Sequence, residues 1–298
     1  MRWINASLVT LFTILVTSCM STTQILTPVE TPRLIVQDKT GILSQKNLEK
    51  LAQDADKTLL DILRIWSAYP RIQRLGKIRL VIEHPPYKNA RGAIFYWSIE
   101  SGRRVRTVGV WGIDGQPYGM AHKLTHALFP NRDKLIRNMM GIYSEKLIGN
   151  PNSFPMCGFS NDAWALVLLQ LGSIVPLVSL GPDHHSWGME FQNRKPISLD
   201  LSRRHAAYAE AGSFGEYLIR TYGINNMKKF HRLSLTIKRP WEDAFGLSLD
   251  ALEADWIRYL KSEFEANAND VFVLKRLRKV NPDAACNKAR GLASDRKF

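Results

Sequence analysis

AIFYWSIESGRRVRTVGVWGIDGQPYGMAHKLTHALF, residues 93–129, joins two extended stretches to a helical one, and that junction decides the fold. Residues 93–99 and 103–113 are rich in β-branched and aromatic side chains, and Ser101-Gly102 between them suits a tight hairpin turn. From Pro117 onward the pattern turns helical. On that helix His122 and His126 are four residues apart and project from one face, while Leu124, Ala127 and Leu128 point elsewhere into packing.

Working outward, Ser44 is placed to cap a helix over residues 44–68. Leu48, Leu51, Ala52, Ala55, Leu59, Ile62, Leu63 and Trp66 recur there at helical spacing, and Pro70 ends it. KIRLVIE, residues 77–83, is a further strand. Beyond Pro117, helix starts are expected at Asp133, Ser160, Ser202 and Ser248, separated by prolines. The fold class is therefore α+β: a small N-terminal mixed sheet with helices, then a mainly helical C-terminal lobe. No internal repeat or low-complexity segment interrupts it.

The 298 residues, 45% of them hydrophobic, suffice for one large core and exclude global disorder. Arg2 precedes the apolar run INASLVTLFTILVTS, which is too short for a stable span and ends in small polar residues, the layout of an export signal. VTSC, residues 16–19, resembles the bacterial lipobox, in which cleavage precedes the cysteine and the new N-terminus is acylated. That resemblance implies a signal peptide over residues 1–18, lipidation of Cys19 and a tether over residues 19–35. With Met20 rather than aspartate after the cysteine, it further implies a bacterial envelope protein on the periplasmic face of the outer membrane. An exported compartment permits Cys157 and Cys286 to pair, fastening the basic C-terminal extension, residues 265–298, to the body; two separate buried thiols are the alternative.

The formal net charge is +14. In an exported protein this points to lipid headgroups or wall polymers rather than nucleic acid. RRVR (103–106) and KRLRK (275–279) carry local excess charge but lack interleaved aromatics, so they suit solvated faces.

AHKLTHALF, residues 121–129, is one letter from H-E-x-x-H, with Lys123 where that motif has glutamate. A helix bearing this pair directly after a strand-rich segment resembles the metal helix of zincins, whose sheet edge holds extended peptide. SEKLIGN, residues 144–150, resembles part of the stretch that carries the third-ligand glutamate of gluzincins. YAEAGSFGEYLIRTYG (208–223) and FGLSLDALEADWIRYL (245–260) look like the distal half of peptidase-MA-like domains. The resemblance covers residues 36–264, as a sheet lobe over 36–116 and a helical lobe over 117–264. It implies a zincin-like fold and a zinc ion held by His122, His126 and a third group. Glu145 is the better donor and Asn138, two turns earlier on the same face, the alternative. Tyr208 either faces the cleft as an oxyanion-stabilising hydroxyl or packs.

Lys123 governs the chemistry. The H-E-x-x-H glutamate must be an unprotonated base, whereas lysine has a reference pKa of about 10.4 and its cation opposes metal binding. The expected protein is thus a degenerate peptidase-like lipoprotein, non-proteolytic, binding a peptide, protein or envelope partner. Two alternatives stand beside it: an atypical zinc hydrolase using deprotonated Lys123, and a basic wall-binding lipoprotein without metal. His184 and His185 are adjacent and suit a loop, and no phosphate loop or dinucleotide fingerprint occurs.

Overall fold

In the computed structural model, which describes residues 26–113, 117–192, 195–281 and 283–289, Ser101 and Gly102 take φ of 47° and 76°. Two left-handed residues in succession close a two-residue hairpin whose twist matches its strands. The chain opens with β1 (Val29–Glu30) and β2 (Leu34–Asp38), then α1 (Gln45–Ile65), α2 (Tyr69–Leu75), β3 (Ile78–Ile82), β4 (Gly92–Glu100) and β5 (Arg103–Trp111). The sheet order is β1-β2-β3-β5-β4, with β2, β3 and β5 mutually parallel and β1 and β4 antiparallel to their neighbours. A parallel β2–β3 pair needs a long crossover, and α1 supplies it.

α1 forms because Ser44 accepts from Asn47 N at 3.3 Å and an unbroken stripe runs from Leu48 to Leu63. That stripe is buried in one core with Leu34, Val36, Ile78, Leu80, Ile82, Val108 and Val110 of the sheet. The body therefore begins earlier than the expected boundary at residue 36. Val29 and Glu30 already pair with Val36 and Ile35, and Leu34, Val36 and Asp38 alternate inward, so the tether's last third belongs to the sheet. Arg104 and Arg106 of the RRVR run stack 5.0 and 4.8 Å from Trp97 across the hairpin, an aromatic partner that only strand register supplies.

The helical part follows as α3 (Met120–Leu128), α4 (Lys134–Ile148), α5 (Asn161–Gln170), a small hairpin of β6 (Met189–Gln192) and β7 (Lys195–Ser198), then α6 (Leu201–Tyr222), α7 (Ile224–Leu233), α8 (Trp241–Phe245), α9 (Leu249–Ser262), α10 (Phe264–Val280) and α11 (Ala284–Ala289). Asp133, Ser160 and Ser248 cap α4, α5 and α9 through their side chains, and Asp200 caps α6. Asp162 ties three helices together: it accepts from Ser213 Oγ at 2.6 Å and from Tyr259 OH at 2.8 Å, while Trp256 Nε1 donates to Ser213 Oγ at 3.0 Å. These bonds give AGSF and the tryptophan of the closing helix their structural task. Trp66 Nε1 donates to Ser144 Oγ at 2.9 Å and so joins α1 to α4 across the two parts.

The stretch expected as a C-terminal extension packs on the body. Val271 and Leu274 of α10 are buried in the common core. Ser160 Oγ also lies 3.0 Å from Asn267 Oδ1. Cys157 and Cys286 are disulfide-bonded, 129 residues apart. Cys19 and the apolar leader lie outside the described residues, among which no helix is long and apolar enough to cross a membrane.

Cross-linking points so far apart removes much of the unfolded chain's freedom. Cys286→Ser is expected to cost about 2–5 kcal/mol in equilibrium denaturant unfolding, with α10 and α11 becoming the first protease-sensitive segment.

Candidate functional site

The site is built on the antiparallel approach of α3 and α4. Gly119, at φ 71°, turns the chain into α3, whose first N–H groups have no partners within the helix. The buried Glu145 carboxylate on α4 meets them. It accepts from Gly119 N at 3.0 Å and His122 N at 2.9 Å, and also from Asn150 N at 3.1 Å and Ser153 Oγ at 2.5 Å. Burial raises the acid's pKa, while the hydrogen bonds from Ser153 and the three amides pull it down. Gly149 leaves room for this, since a Cβ there would stand 2.3 Å from Glu145 Cδ.

This placement corrects the preference for Glu145 as the third donor. Its oxygens serve the start of α3, and Asn138 stands where the third donor was expected. Because the helices run in opposite senses, one α4 face meets the start of α3 at position 145 and the histidines two turns earlier. His122 Nε2 lies 3.0 Å from His126 Nε2 and 3.0 Å from Asn138 Oδ1. Asn138 Nδ2 donates to Lys134 O at 2.7 Å, which orients the amide oxygen toward the imidazole. His122 therefore carries its ring proton on Nε2, an assignment made from the network. Between them, Gly141 permits the approach: a Cβ there would meet His122 Cδ2 at 2.2 Å and His126 Nε2 at 2.9 Å.

Lys123 reaches the same place, its Nζ 3.4 Å from His122 Nε2. Burial, reinforced by Arg137, brings the amine down to about 7. Both imidazoles are held well below their ordinary range by burial first and then by Lys123, so they are neutral at neutral pH.

Zinc fits this trio in shape and not in charge. Three donors near one point resemble a catalytic set. Yet two imidazoles and an amide contribute no negative charge, and a lysine and an arginine stand beside them. Among the described residues, no three His, Cys, Asp or Glu side chains are grouped to hold a metal ion. A dication here would be repelled by both neighbours, and the three atoms that would hold it carry no negative charge to offset that. The trio satisfies itself as a hydrogen-bonded cluster instead.

Above the cluster lies a cavity of about 430 Å³, bounded by Gly92–Tyr96 of the edge strand β4, by α3, α4 and α6, and by His184, Met189 and Phe191. Tyr208 lines it and packs edge-on against Phe154 and Trp187, at 5.1 Å from each. Arg204, one turn before Tyr208, lies over the Phe154 ring at 4.6 Å. His184, expected as a loop residue, sits in a short turn and packs on Phe191 at 4.4 Å. Arg137 and Arg204 went unnoticed in the sequence, and His184 was read only as a loop residue, because the three come from distant segments; only the i, i+4 spacing of Arg204 and Tyr208 hinted at a shared face. No protein-family model, curated protein or solved structure matches this chain.

Two outcomes test this geometry. Gly141→Ala is expected to cost about 1–3 kcal/mol by forcing α4 off the histidines, measured by denaturant unfolding. Protein starting after Cys19 is expected to retain little zinc after dialysis, while Lys123→Glu combined with Asn138→Glu binds it near one per chain by elemental analysis. Stoichiometric zinc in the unaltered protein, lost in His122→Ala, would overturn the charge argument.

Proposed function

We propose that this chain is a lipid-anchored envelope protein of zincin-like fold that binds extended peptide and does not cleave it. The observation that supports this most is the edge strand β4 running along a cavity floored by the His122–His126 helix, with lysine at the base position and Glu145 committed to the helix start. Among the described residues β4 ends the sheet, and a sheet-edge strand offers main-chain donors and acceptors to a peptide laid beside it; Phe95, Tyr96, Phe154 and Tyr208 line the adjoining cavity. Non-proteolysis is inferred from chemistry: among the described residues that line the cavity no carboxylate stands as base, and the donor set does not suit a catalytic zinc.

The anchor sets the place. With Cys19 acylated and Val29 already in the sheet, the intervening chain spans at most about 35 Å. The domain then works close to the membrane, at the periplasmic face of the outer membrane in this reading. Its surplus of 41 basic over 27 acidic residues suits that anionic surface.

One observation favours a second reading, an atypical hydrolase: an amine brought down to about 7 is in part a free base at neutral pH. A degenerate pool of N-acetylated pentapeptides separates the two. Incubated with the soluble domain, the pool is expected to be captured and recovered uncut by mass spectrometry, with capture falling roughly tenfold in Phe95→Ala, about 1.4 kcal/mol. Cleavage products that vanish in Lys123→Met would establish the hydrolase instead.

A further inference from the structure

The cavity holds more positive charge than its surroundings balance. Lys123, Arg137 and Arg204 line it, and no Asp or Glu is among the described residues that do. None of these three basic side chains makes an ion pair with a described residue. Arg137 reaches only the Asn131 carbonyl, at 3.5 Å. Arg204 donates from Nη1 to Ser198 Oγ at 2.7 Å, and its buried Nε has no partner. Behind them lies Lys134, 1% exposed, its amine nitrogen 4.6 Å from the Trp187 ring and 5.2 Å from that of Tyr208.

Nearby carboxylates are engaged elsewhere. Glu145 holds the start of α3, Asp133 pairs with Arg239 and caps α4, and Asp183 accepts from Ser186 N at 2.8 Å in its own turn. Glu83, beside β4, accepts the Tyr96 hydroxyl. Cations partly withdrawn from water without an anion are costly, and each disfavours the others. Burial lowers the basicity of Lys123, Lys134, His122 and His126, and Arg137 adds to the lowering in each. An entering oxyanion would relieve this repulsion, and guanidinium groups bind carboxylates through paired N–H bonds. The Tyr208 hydroxyl, without a hydrogen bond to any described residue, adds a neutral donor on the same wall.

We infer that this cavity receives the free carboxylate terminus of the bound peptide, gripped by Arg137 and Arg204 with Lys123 and Tyr208 beside them. The inference rests on the peptide-binding reading above and adds polarity and an end point to it. Volume supports a terminus over a chain passing through, because about 430 Å³ belongs to the small-ligand class and accommodates only a few residues. The apolar walls supply the contact for the last side chains, and the cationic end discriminates the charged tip.

The test uses the soluble domain beginning after Cys19 and an equimolar mixture of two degenerate N-acetylated pentapeptide pools, one of free acids and one of C-terminal amides. Mass spectrometry of the captured fraction is expected to show free acids enriched at least roughly tenfold, a difference of about 1.4 kcal/mol. Arg137→Gln is expected to reduce that enrichment below about twofold, and Arg204→Gln to reduce it in the same direction, with folding verified by thermal unfolding. Equal capture of acids and amides overturns the carboxylate site and leaves peptide binding standing. Capture of neither pool overturns the peptide reading itself, and with it this inference. Enrichment that survives both arginine variants in folded protein would also overturn the assignment.

Discussion

The buried Glu145 carboxylate is the contact on which the rest of the site depends. It closes the start of α3 through Gly119 N and His122 N and fixes the following turn through Asn150 N and Ser153 Oγ. One side chain thereby sets the height and rotation of α3 against α4. Rotation matters because it points His122 and His126 at α4, where Gly141, lacking a Cβ, leaves the space they occupy. A buried anion at a helix N-terminus is favourably placed, since the unsatisfied N–H groups there carry partial positive charge.

Using Glu145 this way removes a negative charge from the histidine cluster and changes its electrostatics. With Asn138 as the third polar atom and Lys123 beside the first imidazole, the cluster is neutral to cationic. The same replacement that disfavours a dication favours an anion. Metal-ion chemistry and anion recognition demand opposite signs of field, and Arg137 and Arg204 extend the positive sign across the cavity. Helix geometry and positive charge together suit the proposed reading, a cleft that holds an anionic ligand.

Local signals proved legible where one residue acts on its own neighbours. Ser44, Asp133, Ser160 and Ser248 cap the helices that start after them, and Ser101-Gly102 turns the hairpin as its composition requires. Features that depend on distant partners were harder. β1 and the first two residues of β2 lie in a stretch that looked like tether, and the inward residues of β2 become meaningful only beside β3. The β6–β7 hairpin is short and passes through Pro196, which weakens its strand pattern. Of the site, His122, His126, Lys123 and Tyr208 were visible through spacing and resemblance, while Arg137 and Arg204 were not and His184 was read only as a loop residue.

By itself, the sequence determined the strands β3 to β5, the helices α1, α3, α4, α5 and α9, the one-turn spacing of the two histidines and the lysine beside the first of them, because each is a matter of local periodicity or residue chemistry. The tertiary structure alone decided that Asn138 rather than Glu145 faces those histidines, that Cys157 meets Cys286, and that cations from three helices share one cavity. The reason is geometric. Residues 138 and 145 lie on the same face of one helix, and which of them meets His122 depends on where α3 crosses, a distance no local pattern encodes.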